Sequence, residues 1–101
     1  MTGLTAPAQC PDMNELRRQI DSLDQQLVGL LAERAGYIDR AIELKSTVGW
    51  PARIPARVEE VVTKVRRAAE EQGLEADLAE TLWRSLIEWS IAREARVIGG
   101  D

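Results

Sequence analysis

Two cations of this chain stand in a stripe otherwise made of apolar residues. Arg34 and Lys45 lie eleven residues apart in an unbroken amphipathic stretch. At about 100° per residue this spacing is three turns plus about 20°, so both fall on one helix face. That face also carries Leu27, Leu30, Leu31, Ile38 and Ala41. A cation in such a stripe snorkels to its edge, meets a buried carboxylate or binds an anion. Ser90 and Glu94 interrupt a second apolar stripe in the same way, among Leu82, Leu86, Ile87, Ile91 and Val97. Two further arginines head helical stretches. Arg17 sits at the heptad position later filled by Leu31, Ile38 and Lys45, and Arg57 falls on the side of Val61, Val65 and Ala68.

Four cations in mostly apolar surroundings call for an anionic ligand with more than one carboxylate or phosphate, because guanidinium groups recognise these in two-point fashion. The sequence has no glycine-rich phosphate loop, so a small dicarboxylate fits better than a nucleotide. Glu94 is then one acid among cations, near the place where Ser90 projects; its plain alternative is a structural salt bridge. Arg18, Arg40, Arg66 and Arg67 read as ordinary solvated charge.

Composition narrows the chemistry. Histidine is absent and Cys10 is the single cysteine, which removes the commonest general base and the usual transition-metal ligands. No metal and no cofactor are expected. A lone cysteine allows no internal disulfide and agrees with a reducing, cytoplasmic setting. The net charge of −4 argues against nucleic acid as a partner through overall charge. No apolar run is long enough to span a membrane, and no basic and apolar leader opens the chain. A second catalytic or effector domain is not expected within these 101 residues.

The elements that position these groups are all helical. Residues 1–11 mix Gly, Pro, Thr and Ala without a period and read as a flexible tail before a domain over 12–101. Asp12 with Glu15 gives a capping-box-like start. Leu16, Leu23, Leu30, Tyr37 and Leu44 then recur every seven residues, as do Ile20, Leu27, Arg34 and Ala41. This is one long helix, stopped by Gly49 and Pro51. Gly29 and Gly36 inside it would allow a neighbouring helix close. A second helix starts at Pro55, without a polar N-cap, and ends at Gly73. A third opens near Glu75 or Ala76 and ends at Gly99-Gly100. No alternating strand pattern is present.

The first helix decides the assembly. At a 1.5 Å rise its roughly 35 residues span about 52 Å, whereas a domain of 100 residues has a diameter of roughly 35 Å. A second copy covering the overhang, in a homodimer, is the simplest solution; a bend at Gly29 or Gly36 is the other. Arg17 and Lys45 of one straight helix lie about 42 Å apart. In an antiparallel pair, Arg17 of the second copy can approach Arg34 and Lys45 of the first.

Taken together, LRRQIDSLDQQLVGLLAER, then Lys45, then Arg57, then LWRSLIEWSIAREA resemble the AroQ class of chorismate mutases over residues 14–97. The resemblance implies an all-α fold of three helices per chain in an intertwined homodimeric bundle. It implies rearrangement of chorismate to prephenate in the biosynthesis of phenylalanine and tyrosine, a step that needs no acid, base, nucleophile or cofactor. Arg34 and the second copy's Arg17 would bind the two substrate carboxylates. Lys45 would hydrogen-bond the ether oxygen and a carboxylate, Arg57 would hold the ring side, and Ser90 would support the ring carboxylate. Glu94 takes the position of the second ether-oxygen donor, commonly glutamine. A carboxyl donates only when protonated, so activity is expected to fall as pH rises. The class often has acidic residues three before and one after the arginine at 57, where this chain has Ile54 and Val58. The IPARV segment and the Cys-containing tail resemble isochorismate-pyruvate lyase, a relative with the same fold; another relative acts on 4-amino-4-deoxychorismate. A non-enzymatic helical dimerisation module needs only the leucine stripes.

Overall fold

The computed structural model describes residues 5–99. Three α-helices follow a short 3-10 turn at Pro7–Gln9: α1 at Met13–Val48, α2 at Pro55–Glu71 and α3 at Ala76–Ile98. No strand occurs among the described residues, and the fold is all-α. The start of the expected tail, residues 1–4, and Gly100 of the expected C-terminal stop lie outside the described residues. Within 5–11, the Thr5 N–H donates to Gln19 Oε1 at 3.0 Å.

Each helix end has a local cause. Asp12 Oδ1 accepts from the Glu15 N–H at 2.9 Å, the forward half of a capping box. Glu15 does not complete it, because its carboxylate turns along the helix to Arg18 and Gln19. At the other end of α1 the Trp50 N–H reaches back to the Lys45 carbonyl at 3.0 Å, over Gly49 at φ 74°. This is a Schellman closure, which requires the left-handed conformation that glycine adopts without strain. Helix α2 begins with Pro55 at its first position, behind the uncapped Ile54. It closes as α1 does, with the Leu74 N–H on the Ala69 carbonyl at 2.8 Å.

The chain divides by internal contacts into two units, one up to Tyr37 and one from Ile38 onward. In the first unit α1 buries no residue: Ile20, Leu23, Leu27, Leu30 and Leu31 are all exposed, Leu30 by 60%. Apart from its own neighbours and the surrounding helix backbone, no described atom approaches within 4 Å of where a Cβ on Gly29 would stand. The helical hydrogen-bonding pattern runs without interruption through Gly29 and Gly36.

The second unit contains the core. Ala52, Val62, Ile87 and Ile91 are buried together, with Val58, Val61, Ala95 and Ile98 packed around them. Helices α2 and α3 pack on each other, and charged pairs fasten the rim. Arg66 on α2 donates to Asp77 and Glu80 on α3 at 3.0 and 2.7 Å. Arg84 on α3 donates to Glu80 and, across to α2, to Glu59. Arg66 is therefore a strap between helices, not the solvated charge that its sequence context suggests. Its partners lie in the first turns of α3, beyond the reach of local pattern reading.

Candidate functional site

The second unit holds a buried ion pair that joins two helices. Lys45 Nζ donates to Glu94 Oε1 at 2.7 Å. The Lys45 side chain is 17% exposed and that of Glu94 5%. Lys45 lies in the last turn of α1, where a cation is favoured by the negative end of the helix dipole. Glu94 lies in the interior of α3, on the face that buries Ile87, Ser90 and Ile91. The pair is thus a consequence of the 3.6-residue period: positions 87, 90, 91 and 94 share one stripe, and that stripe faces inward.

The ammonium has a second fixed partner. Lys45 Nζ also donates to the Ala52 carbonyl at 2.9 Å. Ala52 follows the Gly49 turn, and its own N–H lies 3.4 Å from the Gly99 carbonyl. An ammonium has three N–H donors; among the described residues two are engaged.

Ser90 is buried one turn before Glu94, and its hydroxyl donates to the Leu86 carbonyl at 2.9 Å. Arg57 is exposed and donates to Glu60 at 2.8 Å. The buried face of α2 centres on Val62 and Ala69, one residue round from the Val61 and Ala68 side that the spacing pointed to. Val61 and Val65, on the side of Arg57, are half-buried, and Arg57 itself stands at the rim. In the first unit Arg34 is half-buried and Arg17 exposed. The structure therefore brings Lys45 and Glu94 into contact, with Ser90 on the same inner stripe of α3. It sets Arg57 on the surface of the second unit.

Two charged clasps flank the pair, and neither was found from the sequence. Arg93 donates to both Asp39 carboxylate oxygens, at 2.6 and 3.1 Å, and lies 5.4 Å from the centre of the Trp89 ring. Asp39 is on α1 and Arg93 adjoins Glu94, so this clasp fixes the same helix pair that Lys45–Glu94 bridges. The Arg93 guanidinium holds the Asp39 carboxyl below the usual carboxylate range. Arg53 donates to both Glu88 oxygens at 2.9 and 2.8 Å, and likewise holds Glu88 below that range. Arg93 adjoins the candidate Glu94 in the sequence, whereas Arg53 lies in the connection between α1 and α2 and adjoins no candidate residue.

Residues 16–95 match the family described as Chorismate mutase type II. The chain belongs to this family. Among its relatives, the isochorismate pyruvate lyase of Pseudomonas aeruginosa is 33% identical over 94 residues, covering 92% of this chain and 91% of the lyase. The chorismate mutase of Methanocaldococcus jannaschii is 25% identical over 84 residues, 83% of this chain and 85% of that protein. The T-protein of Enterobacter agglomerans is 35% identical over 83 residues, but these make up only 22% of its length. No helix among the described residues is long and apolar enough to cross a membrane.

Proposed function

We propose that the chain is a chorismate mutase that rearranges chorismate to prephenate for phenylalanine and tyrosine biosynthesis in the cytoplasm. The observation that carries this reading is the half-buried Lys45 ammonium, held by Glu94 and Ala52, with its third N–H left without an acceptor among the described residues. The reaction breaks the ether C–O bond as a C–C bond forms in one cyclic shift of electron pairs. No proton is transferred and nothing is oxidised. An enzyme can act by holding the flexible substrate in its reactive chair and by stabilising negative charge that grows on the ether oxygen. Lys45 supplies the second effect. Glu94, when protonated, is the other donor to that oxygen. Arg34 and Arg17 bind the carboxylates, Ser90 supports the ring carboxylate and Arg57 closes the ring side.

Arg17 acts from a second copy. Ile20, Leu23, Leu27, Leu30 and Leu31 lie exposed along α1 in the first unit, and Leu78, Leu82 and Val97 of α3 are exposed as well. Burying a leucine side chain is worth about 1.5–3 kcal/mol, so such a stripe favours a homodimer. In a mixture of Arg17→Ala and Lys45→Ala chains, hybrid dimers then carry one intact site. Partial recovery of activity on mixing two inactive variants is expected; none at all counts against a shared site.

The second reading, isochorismate-pyruvate lyase, is favoured by the nearly end-to-end likeness to the Pseudomonas protein and by the apolar Ile54 and Val58 beside Arg57. Lys45→Ala separates both enzymes from a mere dimerisation module. A folded variant without turnover supports an enzyme. If the unaltered chain is inert with chorismate and isochorismate alike, the module stands.

A further inference from the structure

The Lys45 ammonium is oriented by a connection that itself has to be held. Residues 49–54 join α1 to α2 and contain no regular structure beyond the turn at Gly49. Ala52 in this connection is only 2% exposed. Its methyl belongs to the core with Ile87 and Ile91 of α3, and its carbonyl faces Lys45 Nζ at 2.9 Å. The next residue, Arg53, makes the two-point bond to Glu88, which adjoins Ile87 on α3. One turn of α3 thus supplies both the apolar seat for Ala52 and the charged anchor for Arg53.

We infer that the Arg53–Glu88 pair is a positioning device for Lys45: it fastens the 49–54 connection to α3 and so holds the Ala52 carbonyl where it aims the ammonium. The inference rests on Lys45 being the ether-oxygen donor. Its physical basis is the geometry of a tetrahedral donor. An ammonium held at one N–H still swings about that bond. Held at two, by Glu94 Oε1 and the Ala52 carbonyl, it has a defined direction for the third. Glu94 is set by the α3 backbone, but Ala52 lies in a connection without helical hydrogen bonds and needs an anchor of its own. A two-point guanidinium–carboxylate bond fixes orientation as well as distance, which a lysine at 53 would not do. Because Arg53 keeps the Glu88 carboxyl below its usual range, the anchor remains charged throughout neutral pH.

Arg53 and Glu88 do not touch the reacting atoms, so the expected signature is a loss in kcat more than in KM. Arg53→Ala and Glu88→Ala should each lower kcat for chorismate by about tenfold or more, as small misplacements of a donor do, with KM changed by less than about threefold. The double variant should be no slower than the worse single one, because the two residues form one device. Nitrogen NMR of isotope-labelled lysine, read without substrate, should show the Lys45 ammonium signal shifted or broadened in all three. The charge-exchanged pair, Arg53→Glu with Glu88→Arg, should recover part of the loss. Should an alanine variant fail to fold, Arg53→Lys tests the same point with the charge retained. An unchanged Lys45 signal, or single losses that multiply in the double variant, overturns the inference. If the unaltered chain turns over no chorismate while the Lys45 signal still responds to Arg53→Ala, the device stands and the assigned reaction falls.

Discussion

Removing the Lys45 charge should cost stability and turnover separately, and by amounts set by its surroundings. Lys45→Met keeps the length and apolar stem of the side chain but removes the ammonium. Glu94, with a side chain 5% exposed, would then keep a carboxylate in the core without its ion partner. Breaking one member of a buried pair costs about 3–5 kcal/mol, a large part of the roughly 5–15 kcal/mol that holds a domain folded. Adding Glu94→Gln to Lys45→Met removes the orphaned charge and should return more than half of that loss. The assay is urea unfolding followed by helical ellipticity, at one fixed chain concentration because an associating protein gains stability with concentration. The turnover defect should not return with the stability. Losing a donor to a developing oxyanion costs about a hundredfold to a thousandfold in kcat, and the double variant still lacks it. If Lys45→Met is as stable as the unaltered protein, or if the double variant is less stable than it, the buried pair is not what holds these two side chains.

Three further outcomes follow from the same contacts. Glu94→Gln should raise kcat at neutral pH, since an amide N–H donates where a carboxylate only accepts; an unchanged or lower kcat would mean that Glu94 is not a donor in the reaction. Asp39, Glu80 and Glu88 are held below the usual carboxylate range by hydrogen bonds from Arg93, Arg84 and Arg53 respectively. Their folded forms bind protons less readily than the unfolded chain, so their contribution is complete above about pH 4–5 and fades as pH falls through their folded values. Thermal unfolding should therefore shift to lower temperature on going from neutral pH to well below that range, and replacing all three by their amides should reduce the shift; an equal shift in the amide variant contradicts the assignment. Ile91→Ala should cost about 2–5 kcal/mol in urea unfolding, because Ile91 is buried in the cluster of Ala52, Val62 and Ile87; a cost below about 1 kcal/mol would place the core elsewhere.

The helices were legible because their signals are local. Sevenfold leucines, Pro55 at a first turn, and Gly49 and Gly73 just past the ends mark α1 and α2 to within a residue or two. The inward position of Lys45 and Glu94 followed from the periodic pattern alone, since a charge in an apolar stripe must go where the stripe goes. The partner of each charge was less legible. Lys45 and Glu94 are 49 residues apart in sequence, and only the fold brings them together. The Ala52 carbonyl was out of reach, because a backbone acceptor leaves no trace in residue type. Arg66 looked like surface charge for the same reason: its acids lie on another helix. Arg57 shares the side of Val61 and Val65, which are half-buried, but stands exposed at the first turn of α2, and the periodic pattern does not tell an end residue from a central one.

Product analysis tests the central claim most directly. The purified chain is given chorismate and isochorismate in parallel, at matched concentrations, and the products are separated and identified. A chorismate mutase gives prephenate from chorismate, at a kcat/KM well above that for any salicylate formed from isochorismate, and Lys45→Ala abolishes it. Release of salicylate and pyruvate from isochorismate faster than prephenate appears from chorismate would contradict the assignment.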